Sequence, residues 1–374
     1  MQDSDVLQRK VMKKDDRRKQ VRYPDNYYNS IKAVIENIPD KDKLKGKSVL
    51  VTGATGLIGS AVCDVLVSLN REEKYEMHLL FAGRNKEALE KRFEEYKETQ
   101  DYTFVQYDAT LSEQKEQIKA DYVIHGASNA DPARISKEPV ETMLANIQGL
   151  CSLIAALDKD MLKRVLYVSS SEVYGVNEKQ EPYKEDQLGF VDILNPRSSY
   201  PSSKRAAETM CVAYSEEYGI DTVIVRPGHI YGPTVKESDS RVPALFSRMA
   251  VRGEDIVMKS KGEQLRSYTH VLDCASAILA VLIKGENKQA YNISASQSIV
   301  TIKEMAEAVA KAGNVKIIFD LPTEAETKSY SGIPCSALNS DKIEALGWKA
   351  RFNMEDGAKQ TVEMMKEMLT EKQK

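Results

Sequence analysis

Short apolar runs alternate along this chain with longer segments whose apolar residues recur every third or fourth position. The short runs read as buried strands and the longer segments as amphipathic helices. SVLVT (48–52) is the first such run, and LIGSAVCDVLVSLN is the helical pattern behind it. MHLLFAG, TFVQYD, DYVIHGASNADP, RVLYVSSS and TVIVRPG repeat the strand motif, each passing into small or polar residues. PVETMLANIQGLCSLIAALD reads as a long helix with Pro139 in its first turn, where proline is favoured. A further helix runs from near Tyr200 to about Tyr218. This alternation from 47 to 228 predicts an α/β fold, a doubly wound parallel sheet of the Rossmann type.

Beyond 228 the periodicity is less regular. It gives a helix near 241–252, a short strand IVMK, the stretch QLRSYTHVLDCASAILAVLI and a helix TIKEMAEAVAKAG. Thr301 and Glu304 of that helix have the spacing of a capping box. A late strand KIIFD and a last helix over about 354–372 complete it. We expect a dinucleotide-binding domain over 46–228 and a smaller mixed α/β substrate lobe over 229–374. Residues 1–45 form a highly charged extension, read as solvated and partly helical. The competing expectation is that Tyr27, Tyr28 and IKAVIENI pack on the body or across a dimer.

With 374 residues the chain can bury a substantial core, and a formal net charge of −3 gives no electrostatic case for nucleic acid or an anionic membrane. No apolar run approaches a membrane span. Five cysteines, odd in number and widely spaced, read as reduced thiols of a cytoplasmic protein. The four histidines show no metal-ligand spacing, so no metal site is expected.

Two constellations carry chemistry. Gly53, Gly56 and Gly59, with Thr55, Leu57 and Ile58 between them, join a buried strand to a helix. That arrangement lets a pyrophosphate approach the backbone and the free amides of the helix start. Arg84 ends the next strand where an acid would bind the adenosine ribose, and it is placed to meet a 2′-phosphate instead. Asp108, with Ala109 beside it, is placed to accept from the adenine amino group. Gly126, Ala127 and Ser128 leave room for the nicotinamide side, and His125 reads as a packed strand residue. The second constellation is the strand end Ser169, Ser170, Ser171 and Glu172, followed by Tyr200 and Lys204 one helical turn apart. A lysine beside a tyrosine favours phenolate, and Ser170 is placed to share the substrate proton.

Together TGATGLIG, Asp108, HGAS, SSSEVYG, YPSSK, RPGHIYGP, LRSYTHVLD and the late LGW resemble the extended short-chain dehydrogenase/reductase family, in its nucleotide-sugar epimerase/dehydratase branch, over about 46 to 365. The resemblance implies a tightly bound NAD or NADP, a nucleotide-diphosphate sugar as substrate, and a homodimer through the two long helices. It makes Tyr200 the base for the sugar 4-hydroxyl. Lys204 then orients the cofactor ribose, and Ser170 hydrogen-bonds the same hydroxyl. Hydride leaves C4, giving a 4-keto sugar.

The Ser171–Glu172 pair is similar to UDP-glucuronate decarboxylases and to GDP-mannose 4,6-dehydratases. NPRSSYPSSKRAAETMCVAY, HGASNADP…PVET and Arg266 of LRSY add likeness to the decarboxylases. Beside a C4 ketone, a C5 carboxylate is a β-keto acid and leaves as carbon dioxide. Arg266 and Glu172 are the candidate cation and proton donor, and a diphosphate contact is the other reading of Arg266. His229 stands where many relatives have an asparagine on the substrate diphosphate, and Arg241 resembles a substrate-phosphate arginine. Around Ile135 the decarboxylases offer a tyrosine, whereas this chain has ARIS, with Arg134 able to compensate. The expected activity is UDP-glucuronate decarboxylation. A 4,6-dehydratase, a 4-epimerase and a non-catalytic NAD(P)-binding sensor remain the alternatives.

Overall fold

The computed structural model describes residues 23–372 apart from 98, 177–180 and 322–333. Most of the charged stretch at the start of the chain lies outside the described residues. Seven parallel strands form the main sheet in the order β10-β6-β5-β4-β1-β2-β3. They are β1 (Ser48–Thr52), β2 (His78–Gly83), β3 (Thr103–Gln106), β4 (Tyr122–His125), β5 (Arg164–Val168), β6 (Thr222–Pro227) and β10 (Ala290–Ile293). Order reverses between β1 and β4, and open α/β sheets bind ligands at the carboxyl ends of strands flanking such a point. Register pairs Thr52 with His125, and Val168 with Val225.

The smaller sheet lies in the lobe. There β9 (Leu265–His270) pairs antiparallel with β11 (Ile299–Thr301) and parallel with β7 (His229–Tyr231) and β13 (Cys335–Ser336). A third ladder joins β8 (Ile256–Met258) to β12 (Ile317–Phe319). The chain does not leave the main sheet for good at 228. It returns through the largely apolar helix Val271–Lys284, which packs on the helix Leu57–Glu73, and adds β10 beside β6. At the far end Asp273 is buried and accepts from the amides of Arg351 and Phe352, both at 2.9 Å. Trp348 donates Nε1–H to Ser276 Oγ at 2.9 Å, tying the LGW turn to the same helix.

Tyr23, Tyr27, Ile31, Val34, Ile35, Ile38 and Leu44 belong to the main core, which supports the packed reading of this segment over the solvated one. The helix Asp25–Ile35 buries Tyr27, Ile31, Val34 and Ile35. Its anchor is Asp64, whose side chain is wholly buried and ion-paired with Arg92 at 2.6 Å. Tyr27 donates its hydroxyl to Asp64 Oδ2 at 2.7 Å, and Tyr96 donates to Oδ1 at 3.1 Å. A buried carboxylate is tolerated only when its lone pairs are satisfied in this way.

Candidate active site

Strand β1 runs into a turn that only glycine can make. Gly53 has φ +70°, and a Cβ there would lie 2.7 Å from the carbonyl carbon and oxygen of Gly126. At Gly59 a Cβ would lie 2.3 Å from Gly53 O. Gly56 starts the helix Leu57–Glu73 in extended conformation, with no side-chain cap and no acid in the first turn. The amides of that turn are left for an anion.

This turn is the floor of two adjoining cavities. One, of about 510 Å³, is lined by Gly53, Gly56, Leu57, Ile58, Gly59, Tyr200, Lys204 and Arg241. The other, of about 280 Å³, is lined by Gly53, Thr55, Gly56, Arg84, Asp108, Ala109, Ala127 and Ser128. Every residue singled out for the dinucleotide thus lines one cavity or the other. Asp108 Oδ1 accepts from Thr110 N and Oγ1, and those bonds leave Oδ2 unused. Arg84 is exposed just beyond the end of β2. A glycine cradle, an uncapped helix start and an acid at the far end fit a dinucleotide.

Tyr200 and Lys204 sit one turn apart on the helix Ser199–Tyr218, and both are buried. Lys204 donates Nζ–H to Val168 O at 2.8 Å and lies 4.7 Å from the centroid of Tyr167 and 5.7 Å from that of Tyr200. Burial pulls its pKa down to about 7, opposed by Glu208 and Cys211. The expected lowering of the Tyr200 phenol by this lysine is not what the protein's own groups produce. Burial pushes Tyr200 up, the charge of Glu172 adds to this, and Ser170, Arg241 and Arg197 pull it back. The reason is physical: desolvation outweighs these neighbours, and near neutrality a lysine with a pKa of about 7 carries only part of its charge.

Lys204→Met should therefore stabilise the fold while abolishing turnover. Relative to the ordinary value of 10.5, a folded pKa of about 7 means that burying this cation destabilises the native state increasingly as pH falls from 10.5 toward 7. Removing it is worth at most about 4 kcal/mol at pH 7, less the lost bond to Val168. Thermal melting checks this: a higher midpoint at pH 7, with the gap closing above pH 10, is expected, and a lower midpoint at pH 7 refutes it.

Ser170 caps the short turn Ser171–Tyr174 by accepting from the Glu172 amide at 3.2 Å, and Ser171 is buried in that turn. Glu172 pairs with Arg197, Nη2 to Oε1 at 2.8 Å, with both side chains partly exposed. Arg197 was missed by sequence reasoning; its only signal was its place three residues before Tyr200. Ser128 donates to Asn146 Oδ1 at 2.7 Å, Asn146 Nδ2 donates to Ser203 at 3.0 Å, and Ser203 donates to Tyr200 O at 3.0 Å. This chain fixes the tyrosine helix against β4, and Asn146 too was unforeseen.

Arg241 lines the larger cavity with Tyr200 and is held by Asp239, Nε to Oδ1 at 3.0 Å. His229 and Arg266 are set deeper, on the adjacent strands β7 and β9, and neither lines the two cavities described. Burial, with Arg266 and Arg241 nearby, takes the His229 pKa down to about 3, and its Nδ1 is buried with no hydrogen bond. His125 is wholly buried, hydrogen-bonded to Thr52 Oγ1 at 2.7 Å and held neutral with a pKa of about 3, which suits a packed residue.

The assembled site can bind a dinucleotide along the strand ends and present a buried phenol, a lysine and a carboxylate–arginine pair to a second ligand. Comparison with known proteins gives the family. Mouse dTDP-D-glucose 4,6-dehydratase is 30% identical over 329 residues, covering 85% of this chain and 88% of its own. UDP-glucuronic acid decarboxylase 3 of Arabidopsis thaliana is 29% identical over 318 residues, covering 83% and 86%. The UDP-glucose 4-epimerase of Thermotoga maritima shares the fold, with a TM-score of 0.70 at 24% identity over 86% of this chain and 99% of that one. The model of the NAD dependent epimerase/dehydratase family matches residues 49–294, well over half of the chain, and the protein belongs to that family.

Proposed function

We propose that the protein oxidises the C4 hydroxyl of a nucleotide-diphosphate sugar and then decarboxylates it at C5, with UDP-glucuronate as substrate. The observation that carries the reading is the pair of guanidinium groups, Arg197 and Arg241, near the Tyr200 phenol, with Arg266 close to His229 on the adjacent strand. Arg197 and Arg241 both act on the Tyr200 phenol, and Arg241 and Arg266 both act on His229. Two nearby acids, Glu172 and Asp239, are each paired with one of them. Guanidinium groups at this end of the cleft suit a sugar carrying a carboxylate in addition to its diphosphate.

Tyr200 takes the C4 hydroxyl proton, assisted by Ser170. Bound NAD supplies the hydride acceptor. The C5–carboxylate bond then breaks, carbon dioxide leaves, and the electron pair enters the C4 carbonyl as an enolate. A guanidinium stabilises that enolate, and a proton returned at C5 closes the step. The 4,6-dehydratase is the second reading, favoured by a carboxylate, Glu172, beside the phenol and able to take the C5 proton. Mass spectrometry of the protein incubated with UDP-glucuronate and NAD tests the choice. A product lighter by carbon dioxide is expected; unchanged substrate, with water lost from a nucleotide-diphosphate hexose, moves the assignment to the dehydratase.

The same proposal extends to setting and assembly. Five free thiols suit a reducing compartment, hence the cytoplasm, and no helix among the described residues is long and apolar enough to cross a membrane. Val140, Met143 and Leu144 are exposed on one face of Pro139–Ala156, next to the tyrosine helix, and a homodimer through these two helices would cover them. Sedimentation at twice the chain mass is expected, and a monomer at micromolar concentration would end that part of the reading.

A further inference from the structure

The two cavities meet at a shared boundary, and the groups there differ on its two sides. On the floor are Gly53 and Gly56 of the turn; among the described residues two cations line both cavities, Arg134 and Lys236. An extended dinucleotide with its adenosine near Asp108 and its nicotinamide near Tyr200 must cross this boundary with its pyrophosphate, the most negatively charged part of the molecule. We propose that Lys236, carried on a loop of the lobe, fastens the bound cofactor by its pyrophosphate, with Arg134 beside it, so that the lobe straps the cofactor into the sheet. This rests on the dinucleotide reading of the cleft.

The loop's construction supports the assignment. Residues 233–241 follow β7, and their backbone is pinned: Arg248 donates to Asp239 O at 2.5 Å, and the Asp239 amide donates to Lys236 O at 3.0 Å. The Lys236 side chain itself is exposed and has no ion pair among the described residues. Several neighbouring acids are already engaged, while Glu141 also lines the smaller cavity. Glu138 is bound to Arg134 at 2.7 Å, Asp239 to Arg241, Glu237 lies 3.7 Å from Arg252, and Asp131 accepts from the Arg134 amide at 3.0 Å. A lysine on a hydrogen-bonded loop at the boundary of the two cavities is a point charge held ready for an anion. Its signal in the sequence was nil, since a lone lysine in a loop has neither period nor motif.

The test is calorimetric titration of the full chain and of Lys236→Ala with three ligands: NAD, ADP-ribose and adenosine. The variant should bind NAD and ADP-ribose about ten- to a hundredfold more weakly, the ordinary worth of one charge-assisted contact, and bind adenosine unchanged. Lys236→Arg should restore most of the loss, and raising the salt concentration should narrow the gap between parent and variant. Equal affinity of parent and variant for NAD overturns the strap while leaving the dinucleotide site intact. An equal loss for adenosine overturns it too, by showing a general disturbance of the cleft. A parent that binds none of the three overturns the dinucleotide reading, and the strap falls with it.

Discussion

Tyr200→Phe should lower turnover of the sugar substrate by about a thousandfold or more while NAD affinity stays within a few-fold of the parent. The phenol is buried and its hydroxyl is the one oxygen the substitution removes. The ring stays beside Lys204, and the Tyr200 carbonyl still accepts from Ser203. The glycine turn, Asp108 and the rest of the cofactor cavities are untouched. Binding and chemistry therefore separate cleanly, with titration for the first and product formation for the second. A drop of less than tenfold would place the base elsewhere, and Glu172 would be the next residue to change. A parent that binds NAD yet turns over no nucleotide sugar would instead favour the sensor reading.

Acid should unfold the protein far more readily than its carboxylates alone suggest. Burial holds His125, His229 and His270 each at a pKa of about 3. In the unfolded chain they titrate near the ordinary value of 6.5, so below that pH the unfolded state binds protons that the native state refuses. Each histidine then removes stability at about 1.4 kcal/mol per pH unit. Asp273 works against this. Burial raises it to about 7, so the native state takes its proton before the unfolded chain does, and acidification stabilises the fold through it. Three groups of one sign and one of the other leave a net loss on the order of 4 kcal/mol between pH 7 and pH 5, a large part of a typical domain's stability. Denaturant melts at the two pH values check it. An unchanged midpoint would show that one or more of these rings takes up a proton in the folded protein.

The parts of this molecule that sequence made legible are those where a local rule leaves no alternative. The left-handed turn at Gly53 and the close approach at Gly59 demand glycine, and the strand ends carrying Asp108, Ser170 and Ala127 follow from apolar runs of fixed length. Tyr200 and Lys204 face one cavity because four residues make a turn. What escaped was tertiary. The AYNI of β10 is too short to announce itself beside a long apolar helix, so the seventh strand went unseen. The tyrosines of the segment from Tyr23 onward were outweighed by the charge of the residues before them, although Asp64 holds Tyr27 inside and Glu95 accepts from Tyr28. The upward push on Tyr200 comes from burial, which no spacing reveals.

The return of the chain to the sheet at β10 also sets a timetable for its synthesis. Until residue 293 has left the ribosome, β6 has an open edge, and until Arg351 and Phe352 have followed, Asp273 has no amides to accept from. An unfinished chain therefore carries an open hydrophobic sheet edge and an unsatisfied acid through much of its elongation. Fragments ending before Ala290 should accordingly associate with one another rather than fold, which makes the lobe a condition of the sheet's completion as well as its cover.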